Sequence, residues 1–187
     1  NRGTYITFNS LLPYAKGSML ARFDADDIML PGRLLRMVEC MVRDPRLGMV
    51  GTWYKDVQED LTFIRQRPWT PDGVWMWRRS VWDTKIGGFQ PWRCAADAEA
   101  VLRAEHLGIR SEAVRELLYL RRDHQQQLTS APETNFSSQV RREKTLFIRK
   151  ARLRYEAGAV PERLSPMRVK GHPEGGLFCT DITVSLA

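Results

Sequence analysis

Ser18-Met-Leu-Ala-Arg-Phe-Asp-Ala-Asp-Asp-Ile-Met-Leu-Pro31 decides how this chain is read. Met19 to Phe23 has the length and apolar character of a short buried strand. Three carboxylates follow almost at once: Asp24, Asp26 and Asp27. In an extended chain Asp24 and Asp26 project to one side and Asp27 to the other. Carboxylates crowded in this way repel, and one keeps its proton unless a cation compensates. Hard divalent ions such as Mg²⁺ or Mn²⁺ favour oxygen ligands of this kind. The segment therefore reads either as a strand end presenting an open metal site or as an acidic turn capping the next helix.

The flanks have the grammar of an α/β sheet. Downstream, Pro31 suits the first turn of a helix whose apolar stripe is Leu34, Val38, Met41 and Val42, and Asp44-Pro45 ends it. Upstream, Asn9 or Ser10 is expected to cap a short helix through Ala15, with Gly17 closing it. Gly48 to Tyr54 reads as a second strand, Leu61 to Arg65 as a third, and Val74 to Trp77 as a β-rich run after a Pro/Gly loop. Trp69, Trp75, Trp77, Trp82 and Trp92 crowd this part of the chain. Core packing is the favoured reading for them, ahead of a stacking platform for sugars.

A second informative stretch runs from Ile86-Gly-Gly-Phe through Cys94-Ala-Ala-Asp-Ala-Glu99 to Gly108. A helix is expected to begin at Asp97, bury Ala98, Val101 and Leu102, and end at Gly108. Glu99 and Arg103 have the spacing of a helical ion pair. Asp97 has no such partner in sequence, so it is a plain N-cap or a functional carboxylate. The third stretch, Glu112 to Leu120, reads as a strand and leads into Arg121-Arg-Asp-His124-Gln-Gln-Gln-Leu-Thr-Ser130. Arg121 and Arg122 suit phosphate oxygens or a solvated face. Ser137 to Ala157 is a strongly basic helix, expected to dock on the domain's sheet, with an anionic membrane surface as the other use. Phe178, Ile182, Val184 and Leu186 alternate as in a last strand.

At 187 residues the chain can bury one core. No apolar run is long enough to cross a bilayer, the N-terminus lacks the layout of a signal peptide, and an opening Asn1 implies processing or a fragment. Cys40, Cys94 and Cys179 are odd in number and widely spaced, against a disulfide framework or a cysteine metal site. The net charge of +7 suits polyanions, anionic lipid or a phosphorylated substrate.

The strand, Asp-x-Asp cluster, Arg33-Leu34 and amphipathic helix resemble the Asp-x-Asp segment of family 2 glycosyltransferases with the GT-A fold. Gly87-Gly-Phe89 with Ala96-Asp97 resembles that family's Gly-Gly-Phe loop and acidic pair, with Ala96 in place of the usual Glu. Arg121 to Ser130 resembles its Tyr-x-Arg-x-x-His run. The resemblance covers Asn1 to Ser130 and implies a Rossmann-like, mixed central sheet with flanking helices. The family's first β-α-β units have no counterpart, so the expectation is its acceptor-side portion. Residues 1–135 are expected to form the partial GT-A-like domain, and residues 136–187 a basic helix, loop and terminal strand packed on it.

The activity implied is transfer of a sugar, with inversion, from a nucleotide-diphosphate donor (a UDP-sugar first) to a hydroxyl of a glycan or lipid-linked acceptor. Asp97 is the candidate base and Glu99 its reserve. Asp24, Asp26, Asp27 and Arg121 are the candidate donor contacts, and Asp26 with His124 the candidate ligands of Mn²⁺ or Mg²⁺. The expected location is cytoplasmic, at the inner face of the membrane if the basic helix lies there. Two rivals remain at this point. One is a non-catalytic remnant of the fold; the other is a basic nucleic-acid-binding domain, which leaves the acidic cluster without a role.

Overall fold

The computed structural model describes residues 2–68 and 74–165. Trp69 and the expected strand over Phe178 to Leu186 lie outside them. One six-stranded mixed sheet organises the rest, in the order β1-β5-β3-β6-β2 with β4 beside β3. The strands are β1 (Met19–Ala21), β2 (Ile28–Met29), β3 (Leu47–Val57), β4 (Phe63–Arg67), β5 (Met76–Arg78) and β6 (Arg110–Arg122). The helices are α1 (Thr4–Leu11), α2 (Arg33–Arg43), the single turn α3 (Arg79–Val81), α4 (Ala96–His106) and α5 (Gln139–Glu156). A π-helical turn, Trp82–Ile86, continues α3.

The long β3 runs parallel to β6 and antiparallel to β4 and β5. It is buried almost throughout, as a strand covered on both faces should be. On one face Met37, Cys40 and Met41 of α2 pack with Leu47, Val50 and Met76. On the other, Tyr5, Trp75, Trp77, Trp82, Phe89, Ala96 and Ala100 form the larger core cluster. Trp75 and Trp77 meet edge to face with centroids 5.4 Å apart, the offset geometry that aromatic quadrupoles favour. Core packing is therefore where Trp75, Trp77 and Trp82 are used, as their sequence context suggests.

Three expectations are corrected. First, α1 begins at Thr4 with Gly3 at its cap, so Asn9 lies inside the helix rather than starting it. The buried Asn9 amide instead donates to Phe89 O (2.8 Å) and accepts from Phe89 N (2.9 Å). A tertiary bond with both arms satisfied outweighs local capping and clamps the Gly87-Gly88-Phe89 loop. Asn9→Ala leaves two buried backbone groups without partners and is expected to cost about 1–3 kcal/mol per orphaned group at most, read by chemical denaturation.

Second, α2 starts at Arg33 behind a left-handed Gly32 (φ 83°), with Pro31 outside the first turn. Glycine adopts this conformation without the Cβ clash of other residues. Third, α5 docks on α4 rather than on the sheet: Tyr155 packs on His106, Arg152 pairs with Glu105 at 3.2 Å, and Ala151 is buried. Phe147 and Lys144 close over Trp92. The basic face of α5 thus reads partly as a set of packing stems with charged tips.

Candidate active site

β1 ends short of the carboxylates, at Ala21, and residues 22–27 cross the end of the sheet to β2. Antiparallel pairing of Ile28 with Leu120 and Met29 with Tyr119 fixes where that crossing lands. Tyr119 Oη donates to Asp27 Oδ2, Arg122 N donates to Asp27 Oδ1 at 2.8 Å, and Arg122 Nε donates to Asp26 O. Asp27 is thereby turned inward as a fixed acceptor. Burial pushes its carboxyl up to about 6, against the lowering effect of the Tyr119 and Arg122 hydrogen bonds.

A carboxyl raised above its unfolded value binds its proton more tightly when folded, so its stabilising contribution is complete below the unfolded value and is lost as pH rises through about 6. Burial also raises Asp24, more than its Arg22 partner lowers it, which acts in the same direction. In metal-free buffer the melting temperature of wild type relative to Asp27→Asn is expected to fall between about pH 4 and 7, measured by thermal unfolding across that range.

Arg22 lies beneath the cluster, 7% exposed. Its Nη2 donates to Asp24 Oδ1 at 2.8 Å, and its Nη1 is 3.7 Å from Asp97 Oδ2. Burial disfavours its charge, yet Asp24 and Asp97 more than offset that and hold it charged. Its guanidinium stacks 5.3 Å from the Tyr5 ring centroid, and Tyr5 Oη donates to Asp97 Oδ1 at 2.9 Å. Desolvation and the neighbouring Asp97 both push the Tyr5 hydroxyl well above its ordinary value, so it stays a donor. Neither Arg22 nor Tyr5 stands out by motif. An arginine inside an apolar strand, two residues before the first carboxylate, is the sequence signal that was present.

Asp97 is not the N-cap of α4. Ala95 occupies that position in a left-handed conformation (φ 63°), which costs a non-glycine residue about 1–2 kcal/mol. The first turn then delivers Asp97 toward Arg22 and Tyr5. Glu99 goes elsewhere: it is buried, and Arg103 Nε donates to both its oxygens at 2.9 and 3.1 Å. Arg103 also donates to Ile86 O (2.6 Å) and Gly88 O (2.7 Å). The pair anchors the Gly-Gly loop to α4, which gives Glu99 the structural task its spacing suggested.

A cavity of about 450 Å³ is lined by Tyr5, Arg22, Asp24, Asp26, Asp27, Asp97 and Arg121 among others. His124 Nε2 lies 2.9 Å from Asp26 Oδ2. Arg121, placed at the cavity wall, donates through Nε to the buried Asp56 at 2.8 Å. Four of the candidate carboxylates and Arg121 are thus brought to one cavity, His124 joins through Asp26, and Glu99 is excluded. Among the described residues no group of three His, Cys, Asp or Glu is spaced to hold a metal by itself. Asp26 and His124 instead offer two donors, which suits a cation completing its shell with a substrate's phosphate oxygens.

Comparisons with known proteins bear on the family and the fold. The model of Glycosyl transferase family 2 matches residues 1–118. S. aureus TarS 1-349 in complex with UDP-GlcNAc superposes with a TM-score of 0.63 at 14% identity, over 86% of this chain and 49% of that one. The same protein in complex with UDP gives 0.59 at 12% identity, over 86% and 47%. At such identity the likeness is one of fold, and the chain spans about half the length of those structures. No curated protein sequence matches. No helix among the described residues is long and apolar enough to cross a membrane. The family match, over more than half of the residues, establishes that this chain belongs to glycosyl transferase family 2.

Proposed function

We propose that the cavity is the transfer site of a metal-dependent, inverting GT-A glycosyltransferase that uses a nucleotide-diphosphate sugar. The observation that carries this reading is the meeting of Asp24, Asp26 and Asp27 with Asp97, from a distant segment, around one cavity. A UDP-sugar is the donor class put forward first, since TarS was crystallised with UDP-GlcNAc. Asp26 and His124 would hold Mn²⁺ or Mg²⁺ together with the donor's diphosphate. When bound, the ion screens charge developing on the leaving diphosphate.

Asp97 acts as the general base. The acceptor oxygen attacks the anomeric carbon, its proton passes to Asp97, and the bond to the diphosphate breaks with its electron pair leaving on phosphate oxygen. Arg22 and Tyr5 orient the Asp97 carboxylate, each from a different side. Asp24, paired with Arg22, faces the donor. A glycan or lipid-linked hydroxyl is the acceptor class.

The test is release of UDP from a panel of UDP-sugars with Mn²⁺ by the whole protein. Release by wild type that is lost in Asp26→Ala is expected. Equal background release from both would remove the reading.

A further inference from the structure

Helix α5 turns two different faces to its surroundings. Ala151 is buried and Tyr155 packs on His106, so that side of the helix meets α4. At 3.6 residues per turn, Leu146 and Leu153 lie about 140–160° around the axis from Ala151. They are 52% and 65% exposed, on the side turned away from the fold. A heptad apart, they stand almost in line, about 10 Å from each other along the helix. Arg142 and Arg149 fall on one flank of this line and Lys150 on the other, and all three are exposed.

The charge of this face is not balanced from within the fold. α5 carries seven Arg and Lys side chains against two Glu. Arg152 is paired with Glu105 and Lys144 lies over Trp92, whereas among the described residues Arg142, Arg149 and Lys150 form no ion pair. A second copy of the chain would bring the same excess of positive charge against the face and be repelled. The phosphate backbone of a nucleic acid would engage the cations and leave both leucines in water. A row of apolar side chains flanked by cations matches an anionic lipid surface instead. There the leucines enter the acyl boundary while the basic groups meet headgroup phosphates.

We propose that the outward face of α5, Leu146 and Leu153 with Arg142, Arg149 and Lys150, docks the protein in the plane of an anionic membrane surface. The long basic side chains suit this position, because their stems cover apolar surface while their charges stay at headgroup level. Arg141, next to Arg142 in the first turn, lines the 450 Å³ cavity, so the docked helix runs from the cavity's edge. That arrangement suits an acceptor held in lipid. Only this last assignment rests on the transferase reading.

The test is co-sedimentation of the whole protein, without nucleotide, with two kinds of vesicle. One is phosphatidylcholine alone and the other an equimolar mixture of phosphatidylcholine and phosphatidylglycerol. Binding to the mixed vesicles is expected, far above that to phosphatidylcholine and falling as salt is raised. L146Q/L153Q is expected to lower the partition coefficient at least about tenfold, and R142Q/R149Q/K150Q at least about thirtyfold. Both variants should keep the wild-type melting temperature, since all five side chains are exposed. Absence of binding to the mixed vesicles overturns the proposal. Equal binding by L146Q/L153Q also overturns it, in favour of a polyanion such as nucleic acid that uses the cations alone. Self-association of wild type in sedimentation velocity, lost in L146Q/L153Q, would give the face to a second copy and overturn it too. No activity enters the readout, so failure of the transferase reading would leave the docking result standing and remove only the acceptor assignment.

Discussion

Asp97→Asn is expected to lower the rate of sugar transfer by about 10²–10⁴-fold, the usual contribution of a general base, while changing UDP affinity by less than about twofold. The substitution keeps the shape of the side chain, and an amide oxygen still accepts from Tyr5 Oη. What is removed is the capacity to take a proton. The carboxylate is positioned on one side by the Tyr5 hydroxyl and on the other by the Arg22 guanidinium 3.7 Å away. Transfer kinetics and UDP calorimetry on the same preparation separate the two effects. A comparable loss of UDP binding would show that Asp97 serves the donor, and unchanged transfer would assign the base elsewhere.

The largest effect on stability is expected at Arg103. Its side chain is 1% exposed, and that of Glu99 3%. Arg103→Met preserves much of the apolar stem but leaves Glu99 as a buried charge without its partner. It also removes the donors to Ile86 O and Gly88 O. Breaking a buried ion pair from one side typically costs about 3–5 kcal/mol, far more than loss of an exposed surface pair. Denaturant unfolding measures it. The double variant Arg103→Met/Glu99→Leu should recover part of the loss, since no isolated charge is then left inside.

Much of the fold was legible where local signals agree with tertiary use. The Leu34, Met41 stripe became α2 over Arg33–Arg43, and the β-rich run around Met49 became the buried β3. The Glu99–Arg103 spacing reads directly as the pair that forms. Asn9 shows where such reading stops. Its composition suggests a cap, but its partner is Phe89, far along the chain, and no local pattern specifies that contact. The Asp56–Arg121 pair was hidden for the same reason, because the register of β3 against β6 brings the two residues together. In the candidate site the motif carboxylates were visible as residue types in order. Their support was not: Arg22 and Tyr5 follow no spacing rule and act only once α1, β1 and α4 have converged.

The central claim is that the carboxylate cavity binds a nucleotide diphosphate together with a divalent ion. The most direct measurement is thermal unfolding with Mn²⁺ alone, UDP alone and both, for wild type and Asp26→Ala. A ligand that binds the folded state raises the melting temperature, by an amount equivalent to about 2.7 kcal/mol at a hundredfold excess over its dissociation constant. The account predicts a joint Mn²⁺/UDP shift larger than either alone in wild type, and its loss in Asp26→Ala. No joint shift in wild type, or an equal shift in the variant, would contradict it.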